Sequence, residues 1–312
     1  MKKTPMKHLT QLLSSLAWLS AWAVAAPVAG QLRVVATTPD LGALAREIGG
    51  DRVEITALAK PTEDPHFVDA RPSLIVTLNR ADMLIDGGAE LEIGWLPALL
   101  QGVRNTKIAS GAPGRVSAAA GVTMLDVPAS LDRSRGDVHA LGNPHFMLDP
   151  VNVRLIAAQI ADHLAQVDAA SAEQYRANFQ RFNGRLDAKL TEWQAQLAPF
   201  RGAKIVTYHR DFVYLAARFN LDVVTTLEER PGIAPSPAHV AQVIRTMREQ
   251  SARVILVQPY QNRRTAETVA RQTEAVVLDM PQQPGVAQNT DTYFTLMDYL
   301  IRTLAGALGQ GR

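Results

Sequence analysis

Apolar positions along this chain follow two different periods. Short, nearly unbroken apolar runs bounded by turn residues predict buried strands at Leu32-Arg-Val-Val-Ala-Thr-Thr38 and Val53-Glu-Ile-Thr-Ala-Leu58. Runs of the same kind stand at Met83–Asp86, Lys107–Ala109, Lys204–Thr207, Asp222–Thr226, Val254–Val257 and Ala275–Leu278. Helical spacing fills several of the gaps. Leu41, Leu44, Ala45 and Ile48 fall on one face behind a capping Asp40 and stop at Gly49-Gly50, and Pro72–Asn79 and Pro237–Gln250 have the same period. Strands that alternate with helices predict α/β architecture with parallel sheets.

The middle of the chain has only the helical period. No strand-like run interrupts Val151 to Leu197, and between Ser171 and Leu197 there is no proline and a single glycine, Gly184. Tyr175, Phe179, Phe182, Leu186, Leu190, Trp193 and Leu197 step by 4, 3, 4, 4, 3 and 4, one continuous stripe. At 1.5 Å per residue such a helix is about 40 Å long, enough to run the length of two domains. The predicted organisation is therefore an α/β lobe over 26–170, a rigid linking helix over 171–199 and a second α/β lobe over 200–312. Across 312 residues, 47% hydrophobic and 20% charged, that means two cores of ordinary size.

The first 25 residues read differently. A basic start at Lys2, Lys3 and Lys7, an apolar stretch from Leu12 to Ala26 and small residues at Ala23-Val-Ala25 make the three-part pattern of a cleaved secretory signal. The apolar stretch is 15 residues, shorter than the roughly 20 that a spanning helix needs. Without those three lysines the net charge falls from +2 to −1, and no basic run follows, so nucleic acid and anionic membranes are poor partners. The chain has no cysteine. This removes disulfides, thiolate metal sites and an acylated lipoprotein anchor, leaves a free periplasmic protein as the expectation, and leaves any metal to His, Asp or Glu.

Chemistry concentrates on a few histidines. His66 and His145 both sit in Pro-His-Phe, where the proline fixes the turn, and His209 follows the strand Lys204–Thr207 at the carboxyl end where α/β folds place ligands. Asp279 follows the strand Ala275–Leu278 in the same way. Any one of these alone reads as an ordinary turn or core residue. Together, in a cysteine-free exported protein, they are candidate metal ligands, although separations of 79, 64 and 70 residues make no local motif. His139, in the aperiodic loop Ala129–Asn143, is a candidate accessory ligand. His163 and His239 read as surface or local-structure residues, Trp95 and Trp193 as packing, and Glu228-Glu-Arg230 as a solvated turn. Asp64, Asp149 and Arg210 adjoin candidate ligands and are positioned to orient them, with no way to choose among them from sequence.

Three blocks carry a family resemblance: Asp64-Pro-His-Phe-Val-Asp-Ala-Arg-Pro-Ser73, Asn143-Pro-His-Phe-Met-Leu-Asp-Pro150, and Tyr208-His209 with Pro231-Gly-Ile-Ala-Pro-Ser-Pro237. With these the chain resembles the metal-specific solute-binding proteins of bacterial ABC importers, the zinc and manganese receptors (family 9, cluster A-I), over essentially all of the mature chain. The resemblance implies two lobes joined by a rigid backbone helix, a metal site between them, and ligands at His66, His145, His209 and Asp279. It implies no enzyme activity, and as partner a cognate ABC permease, with a periplasmic metallochaperone conceivable and a monomer expected. Three imidazoles and one carboxylate suit tetrahedral Zn²⁺. Family members that handle manganese carry a second hard oxygen ligand, often Glu, where this chain has His209, so Zn²⁺ is the leading cargo and Mn²⁺, or a mixture of Mn, Zn and Fe, the alternative. A zinc hydrolase is the rival class. It needs an open metal position and a general base, and neither H-E-x-x-H nor G-x-S-x-G is present. A receptor for a chelated metal or organic ligand would instead line its cleft with aromatic and Arg residues.

Overall fold

A computed structural model describes residues 30–129, 139–230 and 232–310; the expected signal segment and its cleavage point lie outside them. The first half holds β1 (Leu32–Ala36), α1 (Pro39–Gly49), β2 (Val53–Ala57), α2 (Pro72–Arg80), β3 (Met83–Asp86), α3 (Leu96–Gln101) and β4 (Arg115–Ser117). Two helices follow, α4 (Pro150–Val167) and α5 (Ala172–Leu197). The second half holds β5 (Lys204–Thr207), α6 (Val213–Phe219), β6 (Asp222–Thr226), α7 (Pro237–Gln250), β7 (Val254–Val257), α8 (Arg263–Thr273), β8 (Val276–Asp279) and α9 (Tyr293–Gln310). Each half folds into a four-stranded sheet, in the order β2-β1-β3-β4 and β6-β5-β7-β8, with every pair parallel. The same order in both halves is a structural repeat that leaves no periodic trace in the sequence.

Parallel strands covered on both faces explain the unbroken apolar runs. In β1, Val34 and Ala36 enter a core shared with α4 and α5, while Val35 faces a smaller core under α2 and α3. One strand prediction shifts. Lys107–Ala109 is not a strand: Asn105 accepts from the Lys107 backbone N–H at 3.1 Å and donates to the carbonyls of Leu78 and Ala81, folding Thr106–Ile108 into a 3₁₀ turn. The fourth strand comes later, at Arg115–Ser117.

The long helix is present, but it does not separate two cores. Tyr175, Phe182, Leu186, Trp193 and Leu197 of its stripe belong to one apolar cluster that runs from Val34 and Met83 in the first half to Leu256 and Leu304 in the second. Gln31–Arg312 form one compact unit, with a satellite core on the outer face of each sheet. Polar contacts reinforce the junction of the halves. Arg218 donates from Nε and Nη2 to the two oxygens of Asp149 at 2.7 and 2.8 Å, and Asp149 also caps α4 by accepting from the Val151 N–H. Tyr214 donates to the Asn143 carbonyl at 2.8 Å, and Asp40 N–H donates to Gln283 Oε1 at 2.9 Å.

Wide hinge opening would break these bonds and expose the shared core, at a cost of about 25 cal/mol per Å² of apolar surface. Solution scattering of the metal-free and zinc-loaded protein should therefore give superimposable profiles. A large decrease in radius of gyration on loading would contradict the rigid junction.

Candidate metal centre

The two Pro-His-Phe turns are built alike. Asp64 Oδ1 accepts from the His66 backbone N–H at 3.0 Å, and Asn143 Oδ1 accepts from the His145 N–H at 3.0 Å. In each case a side chain two residues upstream closes an Asx turn around the proline, which fixes where the imidazole projects. The first turn is also clamped from below, where Trp95 Nε1 donates to the Pro65 carbonyl at 2.8 Å. His209 comes from the other half, two residues past the central strand β5, and the neighbouring β6 leads into Glu228, whose N–H donates to the Tyr208 carbonyl at 2.9 Å.

These three turns meet. The ring centroids of His66 and His145 are 5.2 Å apart, those of His145 and His209 5.4 Å, and those of His66 and His209 6.0 Å. One nitrogen of each lies within 4.8 Å of the others. The outer nitrogens are tied. His66 Nδ1 is 2.8 Å from Asp64 Oδ1, and His209 Nδ1 is 2.9 Å from Glu228 Oε2. A carboxylate only accepts, so each Nδ1 carries the proton and each Nε2 presents its lone pair inward. His145 is 7% exposed and its buried Nε2 has no hydrogen-bond partner, while its ring bonds the Gln282 side chain. Three inward lone pairs, one of them orphaned, fit a cation that prefers imidazole nitrogen. A cavity of about 260 Å³ opens from His66 and His209 past Asp64, Glu228, Phe67 and Tyr260.

Asp279 does not join them. It ends β8, the edge strand, with β7 between it and His209, and its side chain is 58% exposed in an ion pair with Arg263. The strand-end rule that places His209 holds at the middle of a sheet, where crossovers leave a crevice, and fails at the edge. His139 instead lies against the cluster, its Nε2 3.2 Å from His66 Nε2. His163, half-buried on α4, bonds the Pro113 carbonyl, and His239 bonds the Thr226 carbonyl at the start of α7, as their local readings require.

The orienting groups also resolve. Asp64 serves His66, whereas Asp149 is occupied with Arg218 and α4, and Arg210 pairs with Asp126 at 2.7 Å. Glu228 is the group the sequence missed. It is not a solvated turn residue, since only 14% of its side chain is exposed and it holds His209. Its position just past the carboxyl end of the strand-like run Asp222–Thr226 was the available signal.

Burial and charge separate the histidines electrostatically. Burial pushes His145 well below the ordinary imidazole range, helped by the neighbouring histidines. His139 is pushed down to about 4, first by burial and then by His66 and His209. Burial opposes the cation of His209 too, but the Glu228 hydrogen bond with the charges of Asp211, Glu228 and Asp64 outweighs it and raises the value. Asp211, fully buried beneath the site with Gln258 and Gln261 donating to one oxygen, is itself raised to about 6 by burial.

Known proteins agree with this architecture. The family model described as "Zinc-uptake complex component A periplasmic" matches residues 34–307. An iron-binding protein, YfeA of Yersinia pestis, is 27% identical over 291 residues, covering 90% of this chain and 88% of its own. The high-affinity zinc uptake protein ZnuA of Brucella abortus (strain 2308) is 30% identical over 166 residues, 53% of this chain and 48% of its own. A ZnuA crystal structure superposes with a TM-score of 0.75 at 23% identity, covering 89% of this chain and 99% of that one.

Proposed function

The chain belongs to the ZnuA family of periplasmic zinc-uptake components, and from that premise we propose that it captures Zn²⁺ at His66, His145 and His209 and delivers it to the permease of an ABC importer. The observation that carries this reading is the convergence of three imidazole nitrogens from both halves of the molecule, with carboxylates tying two of the rings from behind. Such a site takes up a bare divalent cation and holds it where the two halves meet, ready for hand-over. Zinc is favoured over manganese because the carboxylates Asp64 and Glu228 are spent on Nδ1 protons and imidazole is the inward donor. The similarity to a relative named for iron keeps a mixed iron, manganese and zinc cargo as the second reading.

The family role is that of a substrate-binding component of a transporter. A hydrolase would need a general base beside metal-bound water, and the two carboxylates nearest the imidazoles are already engaged with ring N–H groups. Among the described residues no helix is long and apolar enough to cross a membrane. Export by the signal at residues 1–25, a free rather than lipid-anchored state, a monomer and loading by a periplasmic metallochaperone complete the proposal.

Metal analysis of protein purified from the periplasm, followed by competition between zinc and manganese, tests it. One zinc per chain that excess manganese does not displace is the expected result. Manganese or iron in place of zinc would favour the second reading, and no bound metal would overturn the receptor role.

A further inference from the structure

Resting on the zinc reading, the geometry points to His139 as the fourth metal ligand, closing an all-imidazole centre in which no carboxylate touches the ion. His139 Nε2 stands 3.2 Å from His66 Nε2. The proton of His66 is on Nδ1, facing Asp64, so its Nε2 carries a lone pair. The other side of the His139 ring bonds the Glu90 backbone carbonyl, which only accepts, so its proton is there and its Nε2 carries a lone pair too. Two neutral imidazoles arranged in this way have no proton to share and repel across the gap. A cation bound to both relieves that repulsion. Two nitrogens bonded to one zinc at about 2.0–2.1 Å in a tetrahedron are about 3.3 Å apart, close to the separation observed.

The chain that follows His139 is pinned at two points. Ala140 N–H donates to Glu90 Oε2 at 2.6 Å, and Asn143 N–H donates to the Leu125 carbonyl at 2.8 Å, two residues before His145. Glu90 reaches this position from a strained turn: it and Ala89 have φ of 65° and 50°, in the left-handed region that non-glycine residues avoid. That turn is held from inside by Glu92, whose carboxylate accepts from Thr37 Oγ1 at 2.6 Å and from the Gly87 and Gly88 N–H groups at 2.7 and 3.2 Å. A backbone carbonyl behind one ring nitrogen, with the other facing the inward nitrogen of His66, is an arrangement that fixes a ligating histidine. Asp279, the carboxylate that would otherwise close the site, is occupied by Arg263 at the sheet edge.

Four neutral nitrogen donors discriminate between cargoes more sharply than three with a carboxylate, because manganese gains little from imidazole. X-ray absorption at the zinc edge on the zinc-loaded full-length protein counts the imidazoles directly. Wild type should show four, with a purely nitrogen inner shell. His139→Ala should show three and one oxygen, bind zinc at least about 10-fold more weakly, and lose part of its preference for zinc over manganese. His139 is not in the core, and an unchanged thermal midpoint verifies that the variant folds. Three imidazoles and one oxygen in wild type, unaltered by His139→Ala, would overturn the fourth-ligand assignment while leaving the zinc reading intact. Wild type that binds no zinc would overturn both.

Discussion

Replacing His145 with alanine should lower zinc affinity by about 10²–10³-fold, and the His66→Ala, His145→Ala double variant should not hold zinc at micromolar concentrations. Zinc sites built from four protein ligands bind with about 10–16 kcal/mol, so each ligand carries roughly 3–4 kcal/mol, or two to three decades of affinity. His145 is the sharpest case. Its buried Nε2 has no other hydrogen-bond partner, so the substitution removes a metal donor without breaking a bond of the metal-free fold at that atom. Asp279→Ala is the matched control. Since Asp279 is exposed and paired with Arg263, its removal should leave zinc affinity within about 2-fold of wild type. Competitive titration against a zinc chelator measures all three variants. Wild-type affinity in the double variant, or a loss in Asp279→Ala as large as in His145→Ala, would contradict this assignment of ligands.

Acidification should weaken zinc binding by one to two decades per pH unit between pH 7 and 5, a total of roughly 10²–10⁴. The sign follows from the ligands having to be neutral. Burial is opposed at His209 by the Glu228 hydrogen bond and the neighbouring carboxylates, which raise it above the ordinary imidazole value, so its proton competes with zinc more strongly than an ordinary histidine's. Burial pushes His145 the other way, well below the ordinary imidazole range, so its proton competes less than an ordinary histidine's. Reading all three ligands as ordinary histidines from sequence gives three competing protons and a steeper fall; the burial of His145 predicts a shallower one. Zinc titrations at half-unit intervals would show this. A flat profile would mean that histidines do not hold the metal, and a fall of three decades per unit would contradict the downward shift that burial imposes on His145.

The parts of the site that were legible in the sequence are those fixed locally. Pro-His-Phe sets its own turn through the proline and the Asx residue before it, and His209 is announced by the strand it follows. The stripe on α5 was legible for the same reason, as a single period over seven turns. What escaped depends on sheet order, which is non-local. Nothing in Ala275–Leu278 says that its strand lies at the edge, so Asp279 looked equivalent to His209. Nothing near Glu228 says that the strand before it lies beside β5, so an interior carboxylate looked like a surface one. The α5 stripe likewise does not reveal that the apolar cluster it joins reaches both sheets.

The central claim is that one zinc ion lies where His66, His145 and His209 converge. Anomalous diffraction at the zinc edge from crystals of the zinc-loaded protein tests it most directly. The account predicts a single strong peak within about 2.0–2.1 Å of Nε2 of all three histidines, with Asp64 and Glu228 still on the Nδ1 side. A peak at Asp279 or elsewhere on the surface, with the three imidazoles uncoordinated, would contradict it.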